Sequence, residues 1–151
     1  MTTLTSGDLT RVTGIPERRI RNLRDAGALQ PEQAGKGTGR FCLFSVTDAT
    51  AIAFAMRWAN LGYKAKLIHA ICEALSAYSE DALLAEFRAG RTHLVPNPDG
   101  PMKLIRWKAD RESGDVFDVE KSYRQVRAMI DQAALEASAV QGRGRRRGLA
   151  K

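Results

Sequence analysis

The 151-residue sequence predicts a mainly α-helical protein that opens on two short helices around a tight turn, carries two small hairpins and closes on one long helix. Three observations carry that expectation. The stretch Gly14-Ile-Pro-Glu-Arg-Arg-Ile-Arg-Asn-Leu-Arg-Asp-Ala-Gly27 has proline where a first helical turn tolerates it and glycine where a helix leaves through the left-handed region. Residues 46–60 and 65–77 repeat apolar side chains at helical spacing. From Val116, apolar positions step by alternating threes and fours through Val119, Tyr123, Val126, Ile130, Ala133, Ala137 and Val140, the seam of a coiled coil.

Taken in order, Thr5 or Ser6 caps a first helix with Asp8 near its positive end and Leu9 and Val12 facing a core. In the second helix Ile20 and Leu23, with Ile15 before them, can face the same core, leaving Arg18, Arg19, Arg21 and Arg24 on the other faces. Two such helices joined through Thr13-Gly14 make a helix-turn-helix. Taken alone, an arginine-rich helix is equally a solvated surface element. Gly35-Lys-Gly-Thr-Gly-Arg40 between short apolar runs then reads as the cationic tip of a hairpin, suited to lie along a phosphate backbone. A nucleotide-phosphate loop is disfavoured, since GxxxxGK[ST] is absent and no long helix starts directly after the glycines.

Ser45 or Asp48 can cap a long helix over about 46–60, with Val46, Ala49, Ile52, Ala53, Met56 and Ala59 or Asn60 on one side; Leu61-Gly62-Tyr63 breaks it. A helix over 65–77 follows, on which His69 and Cys72 lie three apart without a second ligand pair, so Cys72 reads as core, as does Trp58. Ser79 caps a helix over 79–89 that Gly90 stops, and His93-Leu-Val95, the turn 96–100 and Met102-Lys-Leu-Ile-Arg-Trp107 suggest a second small hairpin. His93 with Asp99 or Asp110 forms no recognisable catalytic set. A helix over 116–141 and a basic, disordered tail over 142–151 complete the chain.

Composition fits a folded, anion-binding protein. The chain is 44% hydrophobic with net charge +7, and the balance runs +4 over residues 1–75, −2 over 76–142 and +5 over 143–151. Two widely spaced cysteines, Cys42 and Cys72, indicate neither a disulfide framework nor a zinc module. With no signal-like start and no apolar run long enough to span a membrane, the expected setting is the cytoplasm, at the nucleoid. Paired carboxylates, an activated nucleophile and a metal cluster are all missing from the readable motifs, so neither an enzyme nor a cofactor or metal is expected.

Residues 4–75 resemble the winged helix-turn-helix DNA-binding domain of the MerR family. The resemblance rests on Leu4-Thr-Ser-Gly-Asp-Leu9 with Val12-Thr-Gly-Ile15, on Ile20-Arg21 followed by Asp25-Ala-Gly-Ala-Leu-Gln-Pro31, on a wing ending in Phe44-Ser-Val-Thr-Asp48, and on Leu61-Gly-Tyr63 before Ile68. Asn22 and Leu23 stand where that family usually has two aromatics, and Arg40 precedes the position where its wing arginine is expected. The resemblance implies a dimeric, sequence-specific transcription regulator acting on double-stranded DNA, with RNA polymerase a further partner. Under that reading Glu17, Arg18 and Arg19 contact base edges, and Arg21, Arg24, Lys36 and Arg40 hold phosphates, with Lys64 and Lys66 as clamps at a later helix start. Arg21 can equally form an internal pair with Asp25 or Asp48. The dimer would use Val119, Tyr123, Val126, Ile130, Ala133 and Ala137; by periodicity alone, the same seam could lie on the chain's own hairpin. The tail is either a phosphate-grasping arm or a solubilising end. The alternative within the same fold is a phage-type DNA-architectural factor, an excisionase or small terminase subunit.

Overall fold

The computed structural model describes residues 2–34, 41–97, 99–106 and 118–148. Its element order is β1 (Thr3–Leu4), α1 (Ser6–Thr13), α2 (Glu17–Asp25), β2 (Glu32–Ala34), β3 (Phe41–Ser45), α3 (Val46–Asn60), α4 (Ala65–Ser76), α5 (Glu80–Arg88), β4 (Arg91–Asn97), β5 (Gly100–Arg106) and α6 (Val119–Gly148). The mainly α class with two small antiparallel hairpins is as the sequence predicts. One element was not foreseen: β1 pairs with β3, Leu4 opposite Phe44, so that β3 is the middle of a three-stranded sheet ordered β1-β3-β2. A two-residue strand is too short to show alternation.

Helices α1 and α3 begin with the same device. Thr5 and Ser45 each accept the backbone N–H three residues on, while Asp8 and Asp48 reach back to the cap's own N–H at 3.0 and 2.9 Å. The two carboxylates nevertheless titrate in opposite directions. Hydrogen bonds from Thr5 hold Asp8 below its ordinary 3.8, whereas burial pushes Asp48 above that value despite the bonds from Ser45. A depressed folded pKa gives stability that is present above the unfolded value and lost as the pH falls through the folded one. A raised folded pKa does the reverse, weakening the fold as the pH rises through the acid range. Urea unfolding followed from pH 3 to 7 should therefore give a shallower rise of stability with pH in Asp8→Asn and a steeper one in Asp48→Asn. Slopes that change in the same direction would contradict this account.

The core is centred on α3. Val46, Ala49, Ile52 and Met56 are buried as expected, but so are Thr47, Thr50, Ala51, Phe54, Ala55 and Trp58, so the helix is enclosed on nearly all sides instead of one. Alanine and threonine between the large residues let α1, α4, α5 and α6 approach closely. Phe54 meets Trp58 edge-on at 6.3 Å, and Trp58 meets Tyr63 at 4.9 Å. On α4, Cys72 is fully enclosed, and desolvation first, then the fields of Asp48 and Glu73, push its thiol up to about 12. A thiol so disposed is a small apolar core group, as read from the sequence.

Ser79 caps α5 by accepting the Ala82 N–H, and Gly90, at φ 77°, turns the chain into β4. Leu94 and Leu104 face each other across β4 and β5 and are both buried. Asp118 extends that hairpin by a bridge to His93 immediately before α6 starts.

The seam expected to join two copies is, in its first half, covered by the chain itself. Val119, Tyr123, Val126 and Ile130 are buried against α1, α3 and β4, and Tyr123 also packs on Phe87 of α5 at 5.7 Å. The Tyr123 hydroxyl donates to Glu80 at 2.9 Å, and desolvation ahead of that contact raises the phenol to about 12. Arg127 reaches Thr2, Glu80 and Asp131, tying α6 to the chain's beginning and to α5. Periodicity marks the apolar stripe of a helix but not whose surface covers it. Val116, expected at the head of the seam, lies outside the described residues. Beyond Ile130 the stripe emerges: Ala133 is half-buried and Ala137 exposed. The helical backbone then runs to Gly148, through a stretch expected to be disordered.

Candidate nucleic-acid interface

Helix α2 is fixed from one side and free on the other. Ile15, Ile20 and Leu23 are buried, Gly14 (φ 71°) closes α1, and Gly27 (φ 78°) releases the chain toward the wing. At 3.6 residues per turn, the positions facing away from Ile20 and Leu23 are Arg18, Arg21, Asn22 and Asp25, an i, i+3, i+4, i+7 set, and all four are exposed. Glu17 and Arg19 are also exposed but stand to either side. Glu17 lines a cleft of about 220 Å³ shared with Arg21 and Arg24 of α2 and Phe41, Cys42 and Phe44 of β3. Arg19 lines a second cleft, of about 280 Å³, with Asn22, Tyr63, Ala65 and His69, so α2 and the start of α4 border one depression.

Lys64 and Lys66 are exposed at that start. Lys64 is the N-cap residue and makes no side-chain cap, which leaves the positive end of α4 and two ammonium groups together. Among the described residues, Arg18, Arg19, Arg21, Lys64 and Lys66 have no carboxylate partner.

Arg24 is different. Its Nε and Nη2 hold Asp25 at 3.0 and 2.8 Å, and its Nη1 donates to Cys42 Sγ at 3.4 Å. The guanidinium thus joins α2 to the wing strand and neutralises the acid on the outer face. Among the described residues Arg21 forms no ion pair with Asp25 or Asp48: Arg24 holds Asp25, and the Asp48 carboxylate caps α3. The hairpin expected to form the wing is present, with β2 antiparallel to β3, Gln33 opposite Cys42 and Ala34 opposite Phe41. Its expected contacts Lys36 and Arg40 lie outside the described residues. Sequence reading did not assign Asn22 to this face; its position four residues after Arg18 is the signal.

Residues 4–75, from β1 to the last turn of α4, match the family model described as MerR HTH family regulatory protein. This half of the chain belongs to the MerR family. A MerR-family domain supports DNA binding in transcription regulation, in keeping with an exposed arginine helix beside the basic start of α4. The match ends before α5, so the β4–β5 hairpin and α6 lie outside it. No curated protein matches the chain. Among the described residues, no helix is long and apolar enough to cross a membrane.

Proposed function

We propose that the chain is a sequence-specific transcription regulator that binds double-stranded DNA as a homodimer, at the nucleoid, and acts on RNA polymerase. The observation that carries this reading is the set of exposed cations on α2 and at the start of α4 that have no carboxylate partner among the described residues, within a MerR-family domain. Arg18 heads the outward face of α2, and Glu17 and Arg19 flank it. These are the residues that meet base edges when the N-terminal end of a recognition helix enters a major groove. Arg21, on the wing side, and Lys64 and Lys66, on the α4 side, hold phosphates of the flanking backbone. Lys36 and Arg40 of the wing tip extend the same role.

Dimerisation falls to the part of α6 beyond Ile130, where Ala133, Ala137 and Val140 continue the seam after the buried residues end. At 1.5 Å per residue that extension is about 27 Å long, and an isolated alanine-rich helix of this length is marginal in water. A second copy of α6 supplies the cover it lacks.

Selection of bound duplexes from a random pool at near-physiological salt tests the reading. An inverted repeat with half-sites about one helical turn apart is the expected result. Direct repeats would point instead to head-to-tail assembly of a packaging or recombination factor, and no enrichment would refute sequence reading altogether. Arg18→Ala should relax base choice by about 1–3 kcal/mol of discrimination. Lys64→Ala should weaken all duplexes alike and reduce the salt slope by about one. Equal, sequence-blind losses from both would contradict the division of roles.

A further inference from the structure

Asn22 occupies an expensive position for no structural return. Asparagine is among the poorer interior helix formers because its amide competes for backbone groups. Here it sits in the middle of a nine-residue helix, exposed, and its side chain makes no hydrogen bond among the described residues. It lies one turn after Arg18 on the outward face and next to Arg21, and it borders the cleft that also contains Arg19, Tyr63 and Ala65. Lys64 and Lys66 flank Ala65, so the amide lies between the base-facing start of α2 and a phosphate clamp. Among the described residues its carbonyl oxygen and NH2 are both uncommitted, an acceptor and a donor presented side by side. Adenine offers the complementary pair in the major groove, an N6 amino donor beside the N7 acceptor.

We infer that Asn22 is a specificity-determining residue that reads one adenine in each half-site through its side-chain amide. The inference rests on the reading of α2 as the base-contacting helix. It adds a fourth position to Glu17, Arg18 and Arg19, one that the neighbouring phosphate clamps hold against the groove wall.

Selection from a random duplex pool by the wild-type protein and by Asn22→Ala and Asn22→Asp provides the test, with urea unfolding of each variant alongside. The wild type should prefer adenine at one position per half-site. Asn22→Ala should lose that preference by about 5- to 150-fold while keeping the other positions and unfolding no more easily than the wild type. Asn22→Asp, which only accepts, should move the preference at the same position from adenine to cytosine, whose N4 amino group donates. If the wild type selects a site and Asn22→Ala selects the same site with undiminished base preference, Asn22 reads no base and the inference falls alone. A uniform loss of affinity with base choice intact would overturn it equally, by making Asn22 a phosphate contact. A wild type that selects no sequence would overturn both this inference and the reading beneath it.

Discussion

Phe54→Ala is expected to destabilise the protein by about 3–5 kcal/mol and to unfold α1, α2 and the base of α6 together. Phe54 is fully buried on α3, with its ring edge-on to Trp58, and the substitution leaves a cavity whose walls are themselves helices of the core. The same buried cluster runs from Leu4 through Ile130, so α2 and α6 have no separate cores to fall back on. Against a domain stability of about 5–15 kcal/mol, such a loss leaves a substantial unfolded fraction under mild stress. Urea melts followed by far-ultraviolet dichroism and by tryptophan emission should shift together to a lower midpoint. Separated transitions, or a loss below about 1 kcal/mol, would show that α3 is not the shared support.

The features legible in the sequence are those governed by local chemistry. Pro16 and Gly27 bracket α2, the Thr5/Asp8 and Ser45/Asp48 spacings mark where α1 and α3 start, and Ser79 and Gly90 bracket α5; each acts within one turn of its own position. Enclosure was harder to read. Alanine at positions 49, 51, 53 and 55 is ambiguous between a solvated face and a closely packed one, and only the neighbouring helices decide it. Long-range partners were also hidden. Nothing in the sequence connects Arg24 to Cys42, 18 residues on, or Arg127 to Thr2, 125 residues back. On α2 the apolar pattern identified which residues face the core. The assignment of base contacts, taken from the helix start, overlooked that Asn22 shares the outward face with Arg18 and Arg21.

The second large effect separates the two halves of α6. Val126→Glu places a carboxylate where Val126 is 3% exposed against the chain's own core, and an unpaired buried charge costs about 3–5 kcal/mol. That variant should unfold at lower urea whatever its oligomeric state. Ala137→Glu introduces the same group on the same stripe but at an exposed position, and glutamate is a good helix former, so the monomer's own fold should not be weakened. If two copies meet along Ala133, Ala137 and Val140, each dimer must then bury two carboxylates. Its dissociation constant should rise by at least about a hundredfold, given several kcal/mol per desolvated charge. Light scattering on a sizing column at tens of micromolar should find a wild-type dimer, an Ala137→Glu monomer that still unfolds cooperatively and has lost only the concentration-dependent stability that dimerisation adds, and weaker retention of an inverted-repeat duplex by that monomer. A wild-type monomer under these conditions would remove the dimer from the proposal. Dimers of undiminished affinity in Ala137→Glu would place the interface elsewhere on the molecule. The contrast works because one apolar period serves two ends: its valine, tyrosine and isoleucine positions hold α6 to its own domain, and its alanines leave a narrow, exposed surface that a second helix can approach closely.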